Sequence, residues 1–411
     1  MIKKLFNSGI QLTPVNSYFL YSIAFAFSFT LMTTVYSVYH IEMVKMTPFQ
    51  LVLTGTILEA ACFLFEVPTG IIADNYSRKL SLFIGLLVMG AGLFIEGFFP
   101  VFIAVALAQV IWGIGATFLS GADIAWLNDE LEGKAVDKVI LKGLQIRQIA
   151  TFAAIILSVF LAGIQVNFPV ILSGVSFILF AAAIWIFMPE TKFKKQTPGN
   201  YNAFKQMKNT FQNGVKEIRG KKFLIILIVI SLITGLYSEG FDRLWAFRFW
   251  EELSLPFSDE INPIYWFAVF QFGAIIINLT IVEIIKKNLE KNDHRILIGI
   301  QSVVNLLISG SIFFFAFTGN FYLAIASFWC AQAMRNTTAS IQNIIMNQKI
   351  ENSEVRATVL SMGGQTDQVG QIIGGPLLGL IASAYSVPAA LIISSVLIIP
   401  IVLFYAVLRK N

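Results

Sequence analysis

Long apolar runs, each closed by a few polar or turn-forming residues, follow one another from end to end of the chain. Read with a window of about 19 residues, they predict spans near 16–38, 48–73, 80–98, 100–126, 142–163, 167–188, 222–247, 262–285, 295–317, 320–347, 356–383 and 386–408. Leu80–Phe98 and Ala390–Leu408 reach the roughly 20 apolar residues that carry a helix across about 30 Å of hydrocarbon, whereas barrel strands would alternate every second residue. Breaks fall at Thr47-Pro48, Phe99-Pro100, Asn262-Pro263, Gly319-Asn320 and Val387-Pro388, where proline or glycine stops a helix. The pattern predicts an all-α polytopic membrane protein whose twelve transmembrane helices form two six-helix bundles.

Composition excludes the main rivals. Of 411 residues, 56% are apolar and 13% charged, roughly half the charge of a soluble domain, and mean hydropathy is +0.75. A nucleic-acid binder, a soluble metalloenzyme or a secreted disulfide scaffold is ruled out. Cys62 and Cys330 lie inside apolar spans and read as small buried hydrophobes; no metal or cofactor is expected. Lys3 and Lys4 precede a long first span without a cleavage signature, so the amino terminus is expected to be retained.

Basic residues set an expected orientation, because short loops rich in Lys and Arg stay cytoplasmic. With both termini inside, every Lys and Arg except Lys45, Arg147, Arg243, Arg248 and Arg335 falls on the cytoplasmic side, while the outer loop after span seven carries Glu251, Glu252, Asp259 and Glu260. The net charge of +5 then reflects topology and not an anionic partner. A multi-pass protein of a bacterial cell membrane, monomeric, is the expectation.

Pro189–Lys222 is polar for longer than a turn requires, with Lys205, Lys208, Lys216 and Arg219 interleaved with Phe204, Met207, Phe211 and Val215. The spacing suggests a basic amphipathic helix on the inner leaflet. The chain is thereby divided into a bundle at 1–188, a linker at 189–221 and a bundle at 222–411, as expected for repeats that rock about a central site.

Gly70-Ile71-Ile72-Ala73-Asp74-Asn75-Tyr76-Ser77-Arg78-Lys79-Leu80-Ser81-Leu82 follows span two. It resembles the loop signature of the major facilitator superfamily, Gly-x-Leu-Ala-Asp-Arg-x-Gly-Arg-Lys-x-x-Leu, with departures at Asn75 and Ser77. Gly70 would let a neighbouring helix pack closely. Asp74 and Arg78 can pair with each other or with Asp129, Glu130 or Arg356. The resemblance implies that Gly70, Asp74, Arg78, Lys79, Asp129 and Arg356 serve a conformational switch and do not touch substrate. Glu66-Val67-Pro68-Thr69-Gly70, Ser120 to Glu130 and Arg356 to Ser361 look like bacterial drug-efflux members, most like tetracycline or macrolide exporters. Two features depart from drug:proton antiporters: Gln109 stands before Gly113 where an intramembrane Arg is common, and the Gly-Pro signature of span five is missing, although Gly370 to Gly379 in span eleven is a similar run.

A charge near the bilayer centre costs at least about 2.5–3.5 kcal/mol, so each needs a partner or a wet cavity. The intramembrane set is Glu59, Asp123, Arg147, Glu239, Asp242, Arg243, Arg335 and Asp367. Glu59, Arg335 and Asp367 lie nearest the middle of their spans. Arg335 and Asp367, on consecutive helices, are expected to pair; Asp123 and Arg147 form the matching pair in the first half; Arg243 neutralises Glu239 or Asp242. Glu59 has no cation at its own depth and is the expected proton carrier. Trp112 and Trp329 occupy corresponding helices of the halves and are expected to wall a cavity, with Gln109 and Asn305 as polar contacts; Trp126, Trp185, Trp245, Trp250 and Trp266 read as an aromatic belt. His40 and His294 lack the neighbours of a metal site.

Neither a phosphate loop nor a catalytic constellation is present, so an enzyme or ATPase is not expected. The leading expectation is secondary export of hydrophobic or amphipathic small molecules in exchange for protons. Nutrient symport is the second, and a receptor or assembly factor that moves nothing is the third.

Overall fold

The computed structural model describes residues 11–193, 212–289, 294–350 and 353–410. Among them all regular structure is helical: α1 (Pro14–Thr33), α2 (Pro48–Asn75), α3 (Arg78–Phe98), α4 (Phe102–Leu119), α5 (Ala122–Leu131), α6 (Val136–Ile164), α7 (Phe168–Phe187), α8 (Lys222–Phe247), α9 (Trp266–Leu289), α10 (His294–Phe317), α11 (Phe321–Lys349), α12 (Ser353–Ala384), α13 (Val387–Leu397) and α14 (Ile399–Lys410). A π-turn, Tyr39–Met43, lies beyond α1. Side-chain caps begin several helices: Thr13 accepts from the Asn16 amide, Asn320 from Leu323 and Ser386 from Ala389, each satisfying a donor the helix leaves open.

Among the described residues, ten helical runs are long and apolar enough to cross a membrane. The other two of the twelve expected spans, α11 and α12, have 29 and 32 residues but carry amides, Arg335 and Asp367. Span four is α4 followed by α5, redirected at Gly121, whose φ of +69° is a left-handed conformation that glycine adopts without strain.

The chain forms two compact units, Met1–Lys45 with Ala60–Gly199 and Met46–Glu59 with Asn200–Asn411. In the first, α3 and α7 approach through Gly90 and Gly174, where an added Cβ would fall 2.7 Å from backbone of the other helix. In the second, α12 lies back to back with α8: a Cβ on Gly235 would strike the Asp367 carbonyl, and one on Gly370 or Gly374 the carbonyls of Leu232 and Leu236. Small residues allow this approach, and dispersion then holds helices that lipid does not push together. The start of α2 belongs to the second unit, where Val52 and Phe49 pack on Gly379 of α12. Trp245, Phe249, Phe270 and Phe328 form an aromatic core there, so Trp245 is a core residue and not a belt residue.

Of the linker, 212–219 is helical; Phe204, Lys205, Met207, Lys208 and Phe211 lie outside the described residues.

Candidate functional site

A cavity of about 510 Å³ opens among α8, α11 and α12 of the second unit. Its wall is mostly hydrogen-bonding: Gln332, Asn336, Gln342, Asn343 and Gln371 supply carboxamides, Ser231, Thr234 and Ser238 hydroxyls, and Asp242, Arg335 and Asp367 charges. Helical spacing of three and four residues brings these groups to one face.

The expected Arg335–Asp367 pair does not form. Arg335 donates through both terminal nitrogens to the two carboxylate oxygens of Asp242, each at 2.6 Å, and its guanidinium lies 5.1 Å from the Phe241 ring centroid and 5.9 Å from that of Tyr237. The reason is packing. Consecutive helices suggested α12 as the source of the acid, but α8 presents carboxylate and aromatic faces together. Asp367 instead accepts from Gln371 Nε2 at 2.8 Å.

Glu239 is 2% exposed and bonds Arg243 at 2.8 Å, which settles which acid Arg243 neutralises. Their contact lies over Gly55 of α2: a Cβ there would collide with Glu239 Oε1. Glu59, one helical turn further along, is half-buried and has neither a hydrogen bond nor an ion pair among the described residues.

The first unit holds the remaining expected residues apart. Asp123 stands in the first turn of α5, while the Arg147 guanidinium lies over the Phe25 ring at 5.9 Å; the expected Asp123–Arg147 ion pair is absent among the described residues, because the aromatic face holds the cation. Trp112 meets Phe29 and Tyr36 edge to face. Gln109 is fully buried and donates to the Tyr36 hydroxyl. In the second unit Trp329 donates to the Phe270 carbonyl at 3.0 Å and packs on Gly273, outside the wall of the 510 Å³ cavity. Asn305 is also buried and bonds Gln301, so it is a helix contact.

Sequence reasoning missed Glu96 altogether. It is 0% exposed; Tyr36 donates to its Oε2 at 2.9 Å, His40 Nε2 lies 2.7 Å from its Oε1, and Tyr39 donates to its carbonyl at 2.6 Å. His40 therefore has a partner that sequence distance hid. The signal available was a carboxylate two residues from the end of an otherwise apolar span.

The loop motif gathers as a second cluster, around a cavity of about 680 Å³ lined by Asp74, Arg78, Asn128, Asp129, Glu132 and Lys192. Arg78 pairs with Asp74 and approaches Asp129 at 3.7 Å. The two departures from the signature have local roles: Asn75 bonds the Ile71 carbonyl at the end of α2, and Ser77 caps α3 through the Leu80 amide. Ser77 and the Lys79 amide also donate to Glu190, while Glu130 accepts from the amides of Thr191 and Lys192. Glu130 is thus committed to the departing chain and not to Arg78. Trp126, buried, donates to the Pro189 carbonyl, away from any belt role. Lys192 bonds Glu132 at 2.7 Å, which raises its affinity for its proton. Lys79 extends its ammonium over the Trp185 ring at 5.5 Å, and Arg356 donates to the Ile350 carbonyl. Gly70 is a correction: a Cβ there meets nothing within 4 Å among the described residues, so no described helix depends on its smallness.

Comparison with known proteins places this arrangement. The sequence profile of the Major Facilitator Superfamily matches residues 17–362. An uncharacterized MFS-type transporter, YxaM of Bacillus subtilis (strain 168), is 26% identical over 366 residues, 86% of each chain. Among solved structures, the nucleoside transporter NupG superposes with a TM-score of 0.74 at 15% identity, covering 97% of this chain and all of that one. A bacterial homolog of the human lysosomal transporter Spinster gives 0.71 at 14%, over 97% of this chain and 96% of that one. The POT family transporter PepTSo gives 0.72 at 8%, over 97% of both. At such identities the likeness is one of fold.

Proposed function

The chain belongs to the Major Facilitator Superfamily, a family of transporters rather than enzymes, and from that premise we propose that it moves a small polar solute across a cell membrane by alternating access, driven by protons. The observation that carries the reading is the 510 Å³ cavity, whose size suits a small organic molecule and whose carboxamides both donate and accept. Gln332, Gln342 and Gln371 already have protein partners, but a purely hydrophobic drug would strip water from Asn336 and Asn343, at a cost of about 1–3 kcal/mol for each.

Glu59 and Asp367 are the proposed proton carriers. Each stands in a membrane-spanning helix without an ion pair among the described residues, and a carboxylate so placed can take and lose a proton as the cavity alternates between the two aqueous phases. The Asp74–Arg78–Asp129 cluster, with Gly70, Lys79 and Arg356, is the proposed switch, and the positive-inside bias supports termini in the cytoplasm. Export of amphipathic drugs is the second reading, favoured by the aromatic group of Phe25, Phe29 and Trp112 in the first unit.

Inverted membrane vesicles loaded with candidate solutes test the reading. Glu59→Gln or Asp367→Asn should abolish uphill movement under an imposed pH gradient while downhill exchange persists. Normal uphill rates in both variants would remove the proton assignment, and the absence of flux for any solute would favour a receptor on the same fold.

A further inference from the structure

We propose that the solute of the second unit's cavity carries an ammonium group that pairs with Asp367, together with hydrogen-bonding groups that meet the carboxamides of α11; the proposal rests on the transport reading above. Three charged side chains line the cavity, Asp242, Arg335 and Asp367. Among the described lining residues the one cation is committed, because Arg335 gives both terminal nitrogens to Asp242 at 2.6 Å and its guanidinium lies near the rings of Phe241 and Tyr237. Asp367 is differently placed. One oxygen is fixed by Gln371 at 2.8 Å, which orients the carboxylate, and the other accepts nothing among the described residues.

Charges just outside the wall do not alter the sign. Glu239 and Arg243 neutralise each other, and Glu59 adds a negative charge. An anionic solute would have to break the Arg335–Asp242 fork and enter against two carboxylates. A neutral one would leave Asp367 without a counter-charge in a low-dielectric setting. A monocation supplies what is missing and gains a charge-assisted hydrogen bond. In the same wall, Asn336 and Asn343 have no side-chain hydrogen bond among the described residues, so their amides are available to hydroxyl, amide or ring-nitrogen groups of the same molecule. Proton and solute would then compete for one carboxylate.

The test is thermal unfolding of the full chain in lipid nanodiscs with two matched sets of probes at equal ionic strength. The first set is tryptamine, tryptophol and indole-3-acetate, and the second is glucosamine, glucose and glucuronate. The members of each set share an indole or hexose frame and differ in charge, with the hexose ammonium at C2 and the carboxylate at C6. In at least one set the ammonium member alone should raise the unfolding midpoint. Asp367→Asn should weaken that response on the order of tenfold, measured against the variant's own baseline, and Asp367→Glu should retain it. Equal or greater stabilisation by a neutral or anionic member, an unchanged response in Asp367→Asn, or no response to either amine would overturn the proposal. Flux is scored separately in proteoliposomes: an amine that binds through Asp367 without being moved would refute the transport reading and leave this assignment standing.

Discussion

Arg335 and Asp242, 93 positions apart, meet through two parallel hydrogen bonds of 2.6 Å. The geometry uses the planarity of the guanidinium, which a lysine cannot reproduce. Because the Asp242 side chain is 40% exposed, breaking the fork should cost less than a dry ion pair does. We expect Arg335→Lys to destabilise the protein by about 1–3 kcal/mol and to weaken solute binding. A double-mutant cycle on unfolding with Asp242→Asn checks it; additive effects would mean that the two residues are not coupled.

Glu96 makes a sharper case, since it is completely buried and holds three partners. Glu96→Ala removes the acceptor of the Tyr36 hydroxyl and the partner of His40, each at about 1–3 kcal/mol, so a loss of about 2–5 kcal/mol is expected. Differential scanning fluorimetry in detergent reads it directly. Glu96→Gln keeps the side chain's shape and one acceptor and should lose less.

Glycines separate two kinds of position. Gly70 has open space around its Cα among the described residues, so Gly70→Ala should leave expression unchanged, and its helix should gain up to about 1 kcal/mol. Gly235 lies against the Asp367 backbone, and Gly235→Ala should force α8 and α12 apart and abolish solute binding. Equal tolerance at both sites would contradict the packing described.

The Arg78 cluster is predicted to govern turnover and not affinity. Arg78→Gln and Asp74→Asn should each lower the transport rate several-fold while a solute's equilibrium affinity, read by the unfolding shift, stays within about twofold. A matched loss of affinity would move these residues into the binding site.

Helix positions were legible because a hydrocarbon crossing imposes a length: α3, predicted at 80–98, runs from Arg78 to Phe98, and α7, predicted at 167–188, from Phe168 to Phe187. The pairing of charges was not legible. Sequence adjacency linked Arg335 to Asp367, whereas the bundle sets α12 against α8 through Gly235, Gly370 and Gly374 and leaves Arg335 to Asp242. The loop motif could be read locally because Asp74 and Arg78 share one helical turn's spacing, while Glu130 and Glu190 found backbone partners that no spacing rule reveals. Glu96 escaped notice because its three partners come from residues 36–40, far away in the chain.

Alternating exposure of the cavity is the claim on which the rest depends. A single cysteine replacing Thr234 on the cavity wall, with Cys62 and Cys330 changed to serine, should react with a membrane-impermeant maleimide from the cytoplasmic face and, after the pH gradient is reversed, from the opposite face. Labelling confined to one face under every gradient and solute would contradict the account.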